Sequence, residues 1–107
     1  MISRGWPLLL EGASALCDLA DRALAEELAE TGGVIMQRAR ELLERGALEL
    51  QIELGLGPRG DSDVGRRAYA DLASTAIARL GGLEVRLRAL ERFVETSRRD
   101  AALRSMS

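Results

Sequence analysis

The groups in this 107-residue sequence that could perform catalysis are two acidic pairs, Glu26-Glu27 and Asp61-Asp63. Two carboxylates can act as general acid and base when one of them holds a proton and the other does not. Most helical proteins carry such pairs, and the sequence shows no nucleophile motif, metal-ligand spacing or phosphate-binding glycine loop beside them. We therefore predict that the chain is not an enzyme and that it binds no cofactor and no metal.

The sequence contains no histidine, no lysine and no asparagine. Histidine acid–base catalysis, histidine metal sites and lysine Schiff bases are therefore excluded within this chain. The one cysteine, Cys17, cannot form an internal disulfide, and its place on an apolar helix face indicates a core residue. No segment reaches the length of a membrane span. We predict a cytoplasmic protein with no membrane partner.

All fifteen positive charges are arginines, which reflects either a GC-rich genome or a use for the planar guanidinium at carboxylates or phosphates. Six of them lie near the C-terminal end and are candidate nucleic-acid contacts: Arg86, Arg88, Arg92, Arg98, Arg99 and Arg104. Acidic residues are interleaved with them: Glu84, Glu91, Glu95 and Asp100. There is also no ladder of aromatic residues for stacking bases. Nucleic-acid binding is therefore a secondary hypothesis.

The elements that must position these groups are predicted to be helices. Apolar residues recur at helical spacing from Pro7, with Thr31-Gly32-Gly33 as a predicted stop, and again from Val34. Helices are therefore expected at about 7–31 and 34–56. The segment GLGPRGDSD at residues 55–63 predicts a chain-reversing turn with aspartate or serine as the next helix cap. Neither its RGD tripeptide nor its two aspartates make a convincing adhesion or calcium site.

The stretch ALELQIELGLG at residues 47–57 alternates strictly between apolar and other residues, as a half-buried strand does. Its leucines and glutamates favour a helix instead. A helix here places Leu48, Ile52 and Leu56 at spacings of four residues, on a different face from the main apolar stripe. We predict the helix, with a short β-pair to residues 83–87 as the alternative. A helix with two apolar faces needs two partners.

The C-terminal segment carries the strongest periodicity, an apolar seam that begins at Tyr69 and recurs every three or four residues. We predict helices at about 62–80 and 83–99, either hinged at Gly81-Gly82 or continuous, since each interior glycine costs roughly 1 kcal/mol relative to alanine. Tyr69 is expected at the edge of the core, with its hydroxyl on water or a polar partner.

The two halves of the chain carry opposite net charges, and this bears on how the predicted helices pack. Residues 1–57 carry ten acidic residues and five arginines, which gives a net charge of −5. Residues 62–107 carry six acidic residues and nine arginines, which gives a net charge of +3. The opposite charges favour antiparallel arms. We predict one all-α domain over residues 1–107, with three or four helices, dominated by a long antiparallel hairpin and oligomeric. The predicted oligomer interface comprises Leu48, Ile52, Leu56, Leu80, Leu83, Leu87, Leu90 and Val94.

These observations predict an oligomerisation or adaptor protein that acts through contacts with its own copies and with an unidentified protein partner. The alternative is a nucleic-acid-handling accessory. A long helical hairpin that assembles into rings resembles, in architecture alone, the oligomerisation cores of phage-type small terminase subunits. That resemblance implies DNA recognition for packaging, although no residue motif supports it. A sensing or dimerisation module of a larger regulator also fits the length.

Overall fold

The computed structural model describes residues 5–58 and 60–106, and within these residues every regular element is helical. The chain forms α1 (Gly5–Ala25), α2 (Ala29–Gly55) and α3 (Asp63–Met106). α1 and α2 pack as an antiparallel hairpin, and α3 packs against both of them. The prediction of an all-α fold is confirmed.

The first break in the chain lies at residues 26–28, between α1 and α2. Glu27 adopts a left-handed backbone conformation with a φ of 63°. Its N–H donates to the carbonyl of Leu24 at 3.1 Å, and the N–H of Leu28 donates to the carbonyl of Ala23 at 2.8 Å. These two hydrogen bonds form a Schellman motif, which satisfies carbonyls at the end of α1.

The predicted helix stop at Thr31-Gly32-Gly33 is wrong, because both glycines lie inside α2. Gly32 is buried, and a β-carbon built on it would lie only 2.8 Å from Cδ2 of Leu24. The glycine therefore lets α1 and α2 approach each other closely and does not end a helix. The predicted bounds 7–31 and 34–56 give way to those of α1 and α2.

The alternating stretch at residues 47–57 is helical as far as Gly55, so the helix prediction is confirmed and the β-pair alternative is wrong. A turn then reverses the chain, with Gly57 and Gly60 both at a φ of 73°. Ser62 caps the next helix, since its hydroxyl accepts a hydrogen bond from the N–H of Gly65 at 3.0 Å. The sequence predicts an aspartate or a serine as the cap, and the structure shows that it is Ser62.

α3 runs without interruption through Gly81-Gly82, so the continuous helix is confirmed and the hinge is not present. Its 44 residues correspond to about 66 Å at 1.5 Å per residue. α2, with 27 residues, corresponds to about 40 Å. Val94 is the last buried residue of α3, and every described residue after Ser97 is exposed.

The core is narrow because small residues and leucines fill most of it. Glycines on α1 and α2 meet leucines of the other helix: a β-carbon on Gly12 would lie 3.1 Å from Leu42, and one on Gly46 would lie 3.1 Å from Leu10. Fourteen buried residues form one cluster: Trp6, Leu10, Ala13, Cys17, Ala20, Met36, Ala39, Leu43, Leu50, Ala76, Leu83, Leu87, Leu90 and Val94. The predicted placement of Cys17 in the core is confirmed.

Replacing Glu27 with glycine is expected to raise the free energy of unfolding by about 1 kcal/mol, because a β-carbon makes the left-handed conformation costly. Urea unfolding followed by circular dichroism measures this change. Glu26→Gly is the matched control, since Glu26 is adjacent, exposed and outside the positive-φ region. An equal effect of both substitutions would contradict the role assigned to Glu27.

Candidate protein–protein interface

One face of α2 carries large apolar side chains that nothing in the described chain covers. Leu48, Ile52 and Leu56 are 60%, 63% and 64% exposed, respectively. We call these three residues the outer stripe of α2. The opposite side of the same helix is buried in the core, including Leu43 and Leu50. α2 therefore has the two apolar faces that its sequence predicts, and the chain itself covers one of them.

The α3 residues of the predicted oligomer interface lie elsewhere. Leu83, Leu87, Leu90 and Val94 are buried in the intramolecular core, and Leu80 is half-buried against it. The apolar seam of α3 is thus used to pack on α1 and α2 of the same chain. The prediction that these five residues face another subunit is corrected, because their own chain already removes them from water.

An ionic clasp joins α2 and α3 midway along their contact. Arg40 on α2 places Nη1 at 2.5 Å from Oε2 of Glu84 and Nη2 at 2.5 Å from Oε1 of Glu91, both on α3. The pKa of Arg40 is raised, and the largest cause is its hydrogen bond to Glu91. A guanidinium shared between two carboxylates fixes the register of the two helices.

Toward the end of α2, the outer edge of this contact is apolar. Ile77 lies seven residues before Glu84, and therefore on the same side of α3, yet it is 56% exposed. The hydroxyl of Tyr69 donates to the carbonyl of Leu54 at 2.6 Å, which confirms the predicted polar partner. Since Tyr69 is level with Leu54 and Glu84 with Arg40, antiparallel packing brings Ile77 to about the level of Leu48.

A groove of about 540 Å³ opens at the same end of the bundle, between the start of α1, the end of α2 and the start of α3. Trp6, Tyr69 and Leu72 contribute to its lining, and Leu56 joins it to the outer stripe of α2. The indole N–H of Trp6 donates a hydrogen bond to the carboxylate of Glu53, which also lines the groove. The apolar surface therefore extends from α2 around the end of the bundle.

The six candidate nucleic-acid contacts do not form a free basic surface. Arg86 contacts Asp18 at 2.6 Å and Asp21 at 2.7 Å, and these hydrogen bonds, led by that to Asp21, raise its pKa. Three others are within ion-pair distance of a carboxylate: Arg88 with Glu84, Arg99 with Glu95 and Arg98 with Glu30. Arg92 and Arg104 lie on the exposed surface of the same helix. Most of this positive charge is thus neutralised within the chain.

Other kinds of site are not found in the part of the chain that the structure describes. Over residues 5–58 and 60–106, no three histidine, cysteine or acidic side chains come together as metal ligands. None of the three described helices combines the length and apolarity needed to cross a membrane. The predicted acidic pairs Glu26-Glu27 and Asp61-Asp63 are exposed at the two ends of the bundle.

Comparison with known proteins yields no relative: no family model, no curated protein and no solved structure matches this chain.

Lowering the pH is expected to loosen the clasp at Glu84. Burial acts to raise the pKa of Glu84, but hydrogen bonds from Arg40 and Arg88 outweigh burial, so this pKa lies below its ordinary value. A carboxyl of this kind stabilises the fold above its unfolded pKa, near 4.3, and the stabilisation is lost as the pH falls through the lower folded pKa.

Wild-type protein should therefore lose unfolding free energy more steeply than Glu84→Gln as the pH falls from about 6 to about 3. Urea unfolding at a series of pH values measures the two slopes. Glu44→Gln serves as a control, since Glu44 is exposed and makes no ion pair among the described residues. If Glu84→Gln matched wild type at every pH, the clasp would not contribute to stability.

The thiol of Cys17 should react with iodoacetamide only when α1 opens. Cys17 is 1% exposed, and burial raises its pKa, so both access and thiolate formation are suppressed in the native state. Mass spectrometry of labelled protein is expected to show slow modification that accelerates in urea. In a Cys17→Ala/Ala15→Cys double variant, the exposed new thiol should react at once. Equally fast labelling of wild type would contradict the packing of α1.

Proposed function

We propose that this chain is a non-enzymatic helical assembly protein that self-associates and presents its remaining surface to another protein. The observation that carries the proposal is the outer stripe of α2, three large apolar residues more than half exposed within about two helical turns. Contiguous apolar surface of this kind is typical of interaction sites. Covering each of these side chains would contribute up to roughly 2 kcal/mol.

The shape of the chain supports self-association as well. Its extents are 68 × 21 × 19 Å, so a large share of the residues lies at the surface. A slender bundle of this size can bury only a limited core, and association is a common way to bury more. The proposal includes a cytoplasmic location, which agrees with a single buried cysteine that has no other cysteine to pair with.

The nucleic-acid alternative stays a prediction, and no observation favours it. Four of its six arginines are held by carboxylates of the same chain, which leaves little net positive charge for phosphates. A gel-shift titration with duplex DNA at low salt tests it. Binding that weakens steeply with added salt would support the terminase-like alternative, and no binding would count against it.

The double substitution Leu48→Glu/Ile52→Glu is expected to reduce the native particle to a smaller species while helicity stays close to that of wild type. Both positions are exposed in the single chain, so the substitutions leave the core intact but place charges in the contact. Light scattering after size exclusion measures the mass, and circular dichroism measures the helicity.

Leu8→Glu is the matched control, because Leu8 is a leucine of comparable exposure that lies on α1 and not on α2. It should leave the mass unchanged. A wild-type particle with the mass of one chain, or a double variant with the mass of wild type, would overturn the proposal.

A further inference from the structure

The side of α3 that faces away from α1 and α2 carries a second regular pattern. Asp71, Ala78, Val85 and Arg92 follow one another at intervals of seven residues, and all four are exposed. Seven residues are close to two helical turns, so these side chains form one row along the helix. Together with Gly81, which is also exposed, we call this row the outer face of α3.

Gly81-Gly82 lies at the centre of this row. A β-carbon built on either glycine meets nothing within 4 Å, so packing inside the described chain does not require glycine there. Glycine is also among the least favourable residues for a helix interior. Two adjacent glycines on an exposed helix surface do have a use where another backbone approaches closely.

Large apolar side chains flank the glycines. Val85 is 70% exposed, and Ile77 is 56% exposed. Between Leu72 and Leu83, the only charged residue is Arg79, although charged residues make up 30% of the whole chain. The middle of α3 is therefore almost uncharged toward solvent, with the polar residues Ser74 and Thr75 exposed beside small and apolar ones, and charges return on both sides of it. Such an arrangement is typical of the centre and rim of a helix–helix contact.

The flanking charges are complementary in one geometry. Asp71 lies ten residues before Gly81, and Arg92 lies ten residues after Gly82. Neither residue makes an ion pair within the described part of the chain. If two α3 helices cross antiparallel with their glycine pairs together, Asp71 of each copy comes level with Arg92 of the other. A two-fold axis at the glycines produces this pairing twice.

The same crossing brings apolar residues together. Ala78 lies three residues before Gly81, and Val85 lies three residues after Gly82. Ala78 of each copy therefore comes level with Val85 of the other copy. A parallel pairing would instead set Asp71 against Asp71 and Arg92 against Arg92, which is unfavourable. The sequence of the outer face of α3 therefore complements itself in the antiparallel direction.

We propose that the outer face of α3 binds a second copy of this chain, with the two α3 helices crossing antiparallel at Gly81-Gly82. The proposal rests on the self-association proposed above and specifies its geometry. Ile77, beside this face, is level with Leu48, so a crossing helix that leans toward α2 also reaches the outer stripe of α2. The outer face of α3 and the outer stripe of α2 then belong to one contact.

Charge reversal tests the pairing of Asp71 with Arg92. Asp71→Arg and Arg92→Asp are each expected to raise the dissociation constant of the dimer about tenfold at low salt, because each places like charges opposite each other twice. The double variant Asp71→Arg/Arg92→Asp should return to within about twofold of wild type. Sedimentation equilibrium measures all four proteins. The proposed geometry would be overturned if the single substitutions left the dissociation constant unchanged. It would also be overturned if the double variant lost as much affinity as the two single variants together.

Gly81→Glu tests the close approach. There is open space for the new side chain in the single chain, and glutamate is a better helix former than glycine, so the monomer should keep or gain thermal stability. The dimer should weaken at least tenfold, because two carboxylates would meet at the axis. Ala15→Glu, at an exposed position on α1, is the control and should leave dimerisation unchanged. A dimer of Gly81→Glu as tight as wild type would overturn the crossing at the glycines.

The two proposals fail in different ways. If wild type associates and Leu48→Glu/Ile52→Glu dissociates it, while the α3 variants have no effect, self-association stands and the antiparallel crossing is wrong. If wild type is monomeric at all concentrations tested, both proposals fall.

Discussion

The close approach of α1 to α2 is the constraint on which the rest of the structure depends. Gly12, Gly32 and Gly46 each stand where a β-carbon would press against a leucine of the other helix. Their absence of side chains lets alanines and Cys17 fill the layer between the helices. The resulting hairpin is thin and offers one narrow apolar surface, on which the seam from Ala76 to Val94 packs.

That narrow surface explains why α3 is held by few but specific contacts. The seam supplies the apolar part, and the clasp of Arg40 with Glu84 and Glu91 fixes the register. On the other side of α3, Arg86 binds Asp18 and Asp21 of α1. Arginine therefore joins α3 to both helices of the hairpin. Its planar fork suits bridging two carboxylates, which agrees with the use of arginine for every positive charge.

Much of the fold could be predicted from the sequence, because helical periodicity over long segments is a strong local signal. The seam of α3, the turn before Ser62 and the second apolar face of α2 all followed from spacing and propensity. The end of α1 could not be predicted in this way. A glutamate rarely adopts positive φ, and the two glycines nearby serve packing between helices, which local sequence does not reveal.

The candidate interface was predictable only in part for a related reason. A heptad pattern shows that a face is buried but not by which chain, so Leu83, Leu87, Leu90 and Val94 were assigned to a neighbour when their own hairpin covers them. The outer stripe of α2 was found because it departs from the main apolar face. The outer face of α3 was missed, since its members are mostly small or charged and its uncharged centre lies around glycines.

Because the helices differ in length, the tertiary packing that supports α3 decreases toward its C-terminal end. α3 continues beyond its last buried residue, Val94, and at its end Leu103 and Met106 are 66% and 85% exposed. Backbone hydrogen bonds there receive little support from tertiary packing, so we expect the amide protons of the final turns to exchange with solvent through local opening. Leu87 is buried, so we expect the amide protons beside it to exchange only when α3 separates from the hairpin.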